Sequence, residues 1–168
     1  SMTILVTGGA GFIGSNFILK WLESKSEEVV NLDALTYAGN SSNLTSISNL
    51  NQYHFVKGCI GDIGLVESIL STYSPKSIIN FAAESHVDRA IYDPLQFIQT
   101  NIVATSRLLE TVKNYWSKLM DSERQSFRFL HISTDEVYGS LFDTDLPFVE
   151  TSQYQPNNPY SASKASSD

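Results

Sequence analysis

Two adjacent carboxylates, Asp135 and Glu136, follow Thr134 directly after an apolar run that ends at Ser133. Neighbouring side chains at a strand end project in different directions, so one carboxyl group can stay protonated as an acid while the other acts as a base. An exposed acidic turn is the alternative interpretation. The pair has a chemical meaning if the run is a strand of an open parallel sheet, because ligands of such sheets bind at the carboxyl ends of the strands.

A tyrosine and a lysine four residues apart, Tyr160 and Lys164, form a second candidate pair. The segment after Pro156 and Pro159 predicts the start of a helix, on which positions i and i+4 share one face. An ammonium group close to a phenol lowers the phenol pKa from about 10 toward neutrality, which would make Tyr160 a usable base. A chance pair on the surface is the alternative.

Glycines recur at every third position, Gly8, Gly11 and Gly14, between an apolar run over residues 3–7 and a helical pattern. A turn of this kind lets the backbone approach a pyrophosphate, and the N-terminus of the following helix presents N–H groups and a positive dipole end to it. An ordinary tight turn is the alternative for the glycines by themselves.

Asp33 lies 19 residues beyond Gly14, at the end of the second predicted strand. An acid at this place accepts hydrogen bonds from the ribose hydroxyls of a dinucleotide. It would also repel a 2′-phosphate, so the sequence favours NAD over NADP. In the alternative interpretation Asp33 only starts a turn.

Strand and helix patterns alternate along the chain and predict the frame that positions these groups. Strands are expected at residues 3–7, 29–33, 53–57, 77–83 and 127–133, and helices at 12–25, 63–73 after the capping residue Asp62, and 94–119. This alternation predicts an α/β fold, a Rossmann-like doubly wound parallel sheet with helices on both faces. Right-handed crossovers predict the order 3-2-1-4-5, with strand five as an unpaired edge.

The length of 168 residues suits one domain, here residues 2–168, with Ser1 interpreted as a remnant of tag cleavage. The helix expected from Tyr160 has room for barely two turns before Asp168. We therefore expect a NAD-binding domain that is incomplete at its C-terminus, before the last strands and a C-terminal substrate domain.

The charge pattern excludes several classes of partner. Eleven basic and eighteen acidic residues give a net charge of −7, which disfavours binding to nucleic acid and to anionic membranes. No apolar run approaches the roughly 20 residues of a membrane span. The single cysteine, Cys59, cannot form an intrachain disulfide, which favours a cytoplasmic location, and His54, His86 and His131 lack metal-ligand spacing, so no metal is expected.

The glycine spacing, with Tyr160 and Lys164 downstream, resembles the extended short-chain dehydrogenase/reductase superfamily. Segments 33–40, 82–89 and 133–139 are similar to the dTDP-glucose 4,6-dehydratases, and the resemblance covers essentially the whole chain. It implies that NAD is bound by Gly8, Gly11, Phe12, Ile13, Gly14, Asp33, Leu35, Thr36, Asp62, Ile63, Ala82, Ala83, Thr100, Tyr160 and Lys164. Core packing is the alternative for the apolar members, such as Ile63 and Ala82.

The same resemblance implies the conversion of dTDP-glucose to dTDP-4-keto-6-deoxyglucose, a step toward deoxysugars such as rhamnose. Tyr160, supported by Lys164, would take the C4 hydroxyl proton as hydride passes to NAD, with Thr134 hydrogen-bonded to the same oxygen. Glu136 would then remove the C5 proton, and Asp135 would protonate the departing C6 hydroxyl before hydride returns to C6. Ser85 and Thr134 would contact the substrate.

Two alternative functions stay open. One is a nucleotide-sugar epimerase or another sugar dehydratase, and the other is a NAD-binding but catalytically incomplete module. A homodimer is also expected, because the apolar stripe of the helix over residues 94–119 is wider than one sheet contact needs. The stripe consists of Phe97, Ile98, Ile102, Leu108, Leu109, Val112, Tyr115, Trp116 and Leu119.

Overall fold

The computed structural model describes residues 2–24, 27–35, 41–81, 94–132, 145–151 and 163–165. Within them seven strands form one sheet in the order β3-β2-β1-β4-β5-β6-β7. The strands are β1 (Thr3–Thr7), β2 (Glu28–Asp33), β3 (Tyr53–Lys57), β4 (Ser77–Phe81), β5 (Arg128–Ile132), β6 (Phe148–Thr151) and β7 (Ser163–Ala165). Strands β1 to β6 are parallel, whereas β7 is antiparallel to β6. The predicted order 3-2-1-4-5 is confirmed.

The described helices lie where the 3.6-residue periodicity predicts them, with small differences at their ends. They are α1 (Phe12–Ser24), a 3-10 helix (Ser41–Ile47), α2 (Ile63–Tyr73), α3 (Pro94–Ser117) and α4 (Asp121–Ser126). The predicted helix over 94–119 therefore ends two residues early, and the short helix α4 was not predicted. Helix α2 begins as expected, because the Asp62 carboxylate accepts the Leu65 N–H at 3.1 Å.

Alternate residues of the inner strand β1 face two separate parts of the core. Leu5 packs in a cluster with apolar residues of α2 and α3, whereas Ile4 and Val6 pack in a cluster with residues of α1 and the 3-10 helix. Successive side chains of a strand point to opposite faces, so β1 is buried on both sides. The predicted layers, with helices on both faces of the sheet, are confirmed.

The prediction that strand five is an unpaired edge is wrong, because β6 pairs with β5 in parallel. The Phe129 N–H donates to the Pro147 carbonyl at 2.9 Å, and the Phe148 ring stacks on Phe129 at 5.6 Å and on His131 at 5.9 Å. The sequence analysis missed β6 because its run of four residues directly follows a proline, which is a weak strand signal.

The helix expected from Tyr160 is also corrected over the residues that the structure describes. Residues 163–165 form β7, in which Lys164 lies opposite Glu150 on the antiparallel strand β6. Three residues beside the open edge of β6 gain ladder hydrogen bonds at once, without the nucleation cost that a new helix must meet. Tyr160 lies outside the described residues, so a shared helical face with Lys164 is not observed.

None of the helices in the described ranges is long and apolar enough to cross a membrane.

Candidate functional site

The turn between β1 and α1 brings the backbone of three elements into close contact. Gly8 has φ of 73°, which favours glycine, and its N–H donates to the Leu32 carbonyl of β2 at 2.9 Å. A Cβ at Gly8 would lie 2.5 Å from the Phe81 carbonyl oxygen at the end of β4. A Cβ at Gly14 would lie 2.6 Å from the Gly8 oxygen. Gly8 and Gly14, two of the three predicted glycines, are therefore required by the geometry of the turn.

Helix α1 starts at this turn, at the carboxyl edge of the sheet. The first turn of any α-helix has N–H groups without an intrahelical acceptor and carries the positive end of the helix dipole. The first residue of α1, Phe12, is 70% exposed, and the first intrahelical donor of the region is the Ser15 N–H, which reaches the Gly11 carbonyl at 2.8 Å. A pyrophosphate fits this end of the helix in charge and in hydrogen bonding.

Two side chains of β2 hold the turn. The Gly9 N–H donates to Asn31 Oδ1 at 3.0 Å, and the Ala10 N–H donates to Asp33 Oδ2 at 2.8 Å. The other oxygen of Asp33 accepts the N–H of Leu35 at 2.8 Å, and Leu35 has φ of 55° in the left-handed region. Asp33 is thus the last residue of β2, as predicted, and its carboxylate also supports the backbone on either side of the expected ribose position.

A cavity of about 490 Å³ opens where the loop between β3 and α2 faces α3. Its lining residues are Cys59, Gly61, Asp62, Gln96, Gln99, Thr100, Val103, Ala104 and Arg107. The Gly58 N–H donates to the Asp33 carbonyl at 3.1 Å, which places the start of this loop at the end of β2. The cavity therefore continues the same carboxyl edge that holds the glycine turn.

Two of the residues predicted to hold the cofactor, Asp62 and Thr100, meet at this cavity although they belong to different elements. Ile63 does not line it and stands half exposed as the first residue of α2. Sequence reasoning missed Cys59, Gln99 and Arg107, because no motif marks them and only the packing of α3 against α2 brings them to one place.

A buried polar row crosses β1, β4 and β5 below the same edge. The Thr7 hydroxyl donates to Asn80 Oδ1, and the Asn80 carboxamide nitrogen lies 2.9 Å from Nδ1 of the His131 ring. All three residues are buried, and burial lowers the pKa of His131 to about 4. The imidazole is therefore neutral at pH 7, and the row is uncharged.

The burial of His131 predicts a loss of stability in mild acid. Between pH 6.5 and 4 the unfolded chain binds a proton that the folded chain does not, so stability falls as the pH falls through this window. From pH 7 to pH 5 the free energy of unfolding should drop about 2 kcal/mol further in the unchanged chain than in His131→Gln. Urea denaturation at both pH values measures the free energy of unfolding. Equal decreases in the unchanged chain and in His131→Gln would show that His131 is not the group responsible.

Several predicted site residues lie outside the described residues. They are Thr36, Ala82, Ala83, Ser85, Thr134, Asp135, Glu136 and Tyr160. The segment that carries Asp135 and Glu136 follows β5 in the sequence, and β5 ends at Ile132 on the carboxyl edge. In the part of the chain that is described, no group of three His, Cys, Asp or Glu side chains could hold a metal ion.

Comparison with known proteins decides the family. The sequence model of the family described as GDP-mannose 4,6 dehydratase matches residues 5–168. The chain belongs to this family. Among curated relatives, the dTDP-glucose 4,6-dehydratase of Xanthomonas campestris pv. campestris strain B100 is 58% identical over 166 residues, covering 99% of this chain and 47% of the relative. That of Salmonella typhimurium strain LT2 is 50% identical over 175 residues, covering 99% and 48%.

Solved structures of this dehydratase family and of related epimerases share the fold. The dTDP-glucose 4,6-dehydratase of Bacillus anthracis in complex with NAD has a TM-score of 0.65 at 40% identity, covering 96% of this chain and 48% of that one. The enzyme DesIV of Streptomyces venezuelae, with NAD and TYD bound, has a TM-score of 0.67 at 41% identity, covering 86% and 43%. A UDP-glucose 4-epimerase of Thermotoga maritima, with UDP-glucose, has a TM-score of 0.61 at 31% identity, covering 79% and 38%.

The resemblance to the dTDP-glucose 4,6-dehydratases that was predicted from the sequence is thereby confirmed. The chain spans about half the length of the curated relatives it matches.

Proposed function

We propose that this chain binds NAD along the carboxyl edge of its sheet and supplies the catalytic residues of a dTDP-glucose 4,6-dehydratase. The observation that carries the proposal is the three-point attachment of the glycine turn to β2. The N–H groups of Gly8, Gly9 and Ala10 are bonded to Leu32, Asn31 and Asp33 respectively. This attachment leaves the start of α1 facing the space where a pyrophosphate fits.

The preference for NAD over NADP follows from the Asp33 carboxylate. It is 4% exposed and lies at the end of β2, where its negative charge would repel a 2′-phosphate. Calorimetric titration should show NAD binding at least about tenfold tighter than NADP, the factor that corresponds to about 1.4 kcal/mol. Asp33→Ala should reduce this preference for NAD. Equal affinities of the unchanged chain for NAD and NADP would refute the proposed preference.

The adenine end of NAD is proposed to occupy the cavity between the loop before α2 and α3. Its walls combine Val103 and Ala104 with the polar groups of Gln99 and Thr100, a composition that suits a flat ring with polar edges. The path from the glycine turn to the cavity passes the Asp33 carboxylate, in the order pyrophosphate, ribose and base.

Cys59 provides a direct test of this placement, because it is exposed, lines the cavity and is the only cysteine of the chain. Saturating NAD should slow the reaction of its thiol with iodoacetamide at least about tenfold, since a bound base would shield the cavity wall on which this thiol lies. The reaction is followed by mass spectrometry, with Cys59→Ser as the unlabelled control. An unchanged rate at full NAD occupancy would place the adenine elsewhere.

In the proposed mechanism, each catalytic residue has the role that the resemblance to the family implies. When bound, NAD accepts a hydride from a sugar carbon and returns a hydride in a later step. Tyr160 takes the proton of the C4 hydroxyl, with Lys164 supporting its ionised form, and Thr134 hydrogen-bonds the same oxygen. The ketone at C4 acidifies the C5 proton, so Glu136 removes this proton while Asp135 protonates the departing C6 hydroxyl.

The other functions considered differ in measurable ways. An epimerase would return a hexose with its C6 hydroxyl, whereas the dehydratase gives a 4-keto-6-deoxy sugar whose absorbance in alkali is recorded after incubation with dTDP-glucose. Among the solved structures, identities of 40% and 41% to dTDP-glucose 4,6-dehydratases, against 31% to the epimerase, favour the dehydratase. A NAD-binding module would bind NAD and give neither product.

We also propose that two copies of the protein associate through α3. Part of the expected apolar stripe is used within the chain, because Leu108, Leu109 and Val112 are buried. Towards the start of α3, Leu95 is 65% exposed and supports a contact with a second copy. Light scattering at micromolar concentration tests this, and a monomer of 18.7 kDa would exclude the dimer.

A further inference from the structure

A buried amide links the glycine turn to the third strand. Asn31 lies in β2 between the apolar residues Val30 and Leu32 and is 0% exposed. Its Oδ1 accepts the Gly9 N–H at 3.0 Å, and its Nδ2 donates to the Tyr53 hydroxyl at 3.0 Å. Rotating the carboxamide by half a turn would place its NH₂ group against the Gly9 N–H, so these two partners fix its orientation.

We infer that Asn31 and Tyr53 are positioning residues for the phosphate-binding turn. Tyr53 orients the Asn31 carboxamide, and Asn31 holds the Gly9 N–H so that the turn has its binding conformation before NAD arrives. This inference rests on the proposed function, in which that turn receives the pyrophosphate of NAD.

The space around Gly9 shows how closely the amide and the turn are fitted. A Cβ at Gly9 would lie 2.4 Å from Asn31 Oδ1 and 2.5 Å from the Ile18 methyl carbon Cδ1. Only a residue without a side chain brings its N–H this near to β2. A glycine turn is otherwise free to adopt many conformations, so fixing it in advance removes an ordering cost that binding would have to meet.

Tyr53 suits the role because its ring is buried while its hydroxyl reaches across to β2. It starts β3 and is 8% exposed. Burial raises its pKa, the hydrogen bond from Asn31 lowers it and the Asp33 charge raises it again, so the phenol stays neutral. Phenylalanine at this position would keep the ring packing and remove only the acceptor of the Asn31 NH₂ group.

The test compares NAD affinity by calorimetry in the unchanged 168-residue chain, Asn31→Ala, Tyr53→Phe and the double variant. We expect Asn31→Ala to weaken NAD binding about tenfold and Tyr53→Phe about threefold, the sizes expected for lost buried hydrogen bonds. The double variant should be no weaker than Asn31→Ala, since Tyr53 acts through Asn31. Adenosine, which has no pyrophosphate, should bind Asn31→Ala and the unchanged chain equally when followed by NMR.

A matched control separates positioning from general loss of stability. Val66→Ala shortens a fully buried side chain of α2 that packs in the cluster of Leu5, not in the cluster that contains the residues of α1, so it should lower the free energy of unfolding and leave NAD affinity unchanged. Equal NAD affinity of Asn31→Ala and the unchanged chain would overturn the inference while leaving the proposed function intact. An unchanged chain that does not bind NAD would overturn the proposed function, and the inference with it.

The outcome of the double variant decides the part played by Tyr53. If the losses of NAD affinity add up in the double variant, Tyr53 acts independently of Asn31, which would overturn the inference that it orients the Asn31 carboxamide. If Asn31→Ala does not fold, Tyr53→Phe decides by a second measurement, hydrogen exchange of the Gly9 amide in the absence of NAD. We expect this exchange to accelerate several-fold together with the loss of affinity, and unchanged exchange and affinity would overturn the inference.

Discussion

In the proposed dTDP-glucose 4,6-dehydratase, Glu136→Gln is expected to reduce formation of the 4-keto-6-deoxy sugar by at least about a hundredfold, the lower range for loss of one general acid or base. Glutamine keeps the size and the polarity of the side chain but cannot accept the C5 proton. Oxidation at C4 does not need this group, so substrate should still produce the 340 nm absorbance of reduced cofactor. Rapid mixing with dTDP-glucose, followed by product analysis in alkali, measures both steps on one sample.

Two further variants help to interpret the result for Glu136→Gln: one at the neighbouring carboxylate, and one at a distant carboxylate as a control. Asp135→Asn should give the same separation of the two steps, because its proton is needed only when the C6 hydroxyl departs. Glu110→Gln, an exposed carboxylate of α3, should leave both steps unchanged. Product formation at the unchanged rate in Glu136→Gln would remove Glu136 from the mechanism, and loss of both steps would assign it to substrate binding.

Gly14→Ala is expected to weaken NAD binding about a hundredfold and to lower the free energy of unfolding by about 2–3 kcal/mol, the upper range for overpacking. The added Cβ would lie 2.6 Å from the Gly8 oxygen and 2.7 Å from the Gly9 Cα. Both are backbone atoms that cannot rotate away, so α1 and the glycine turn must separate. Calorimetry with NAD and urea denaturation measure the two effects.

A glycine elsewhere in the chain supplies the matched control. At Gly64, in the first turn of α2, a Cβ would meet only the Asp62 Oδ1 atom, at 3.8 Å, which is an ordinary contact. Alanine favours a helix more than glycine does, so Gly64→Ala should add up to about 1 kcal/mol of stability and leave NAD affinity unchanged. Tight NAD binding by Gly14→Ala would show that the close approach at Gly14 is not required.

The elements that carry a regular sequence pattern were predictable, and those that depend on distant packing were not. Helix α2 has its predicted bounds because Asp62 marks the start and the apolar period marks the length. Asp33 was placed correctly because the spacing from a glycine turn to the end of β2 is set by one helix and one strand. Strand β7 was missed because its three residues have no strand signal without the edge of β6 beside them.

Part of the candidate site could not be predicted from the sequence, because it also depends on contacts between distant residues. Asn31 carried a signal, since a polar residue within an apolar strand needs a buried partner, but neither Gly9 nor Tyr53 could be identified as that partner without the register of the sheet. Arg107 carried no signal of a binding role, because a basic residue on a long helix is most often solvated. Its place at the cavity follows only from how α3 packs near the loop that holds Cys59.

The position of β1 between β2 and β4 sets the order in which the protein can fold during its synthesis. Ile4 lies beside Val29 on one side and beside Ser77 on the other, so the two neighbours of β1 leave the ribosome at very different times. At roughly 5–20 residues per second, Ser77 follows Ile4 by about 4–15 seconds. Throughout that interval the edge of β1 that β4 later covers is open to incorrect partners.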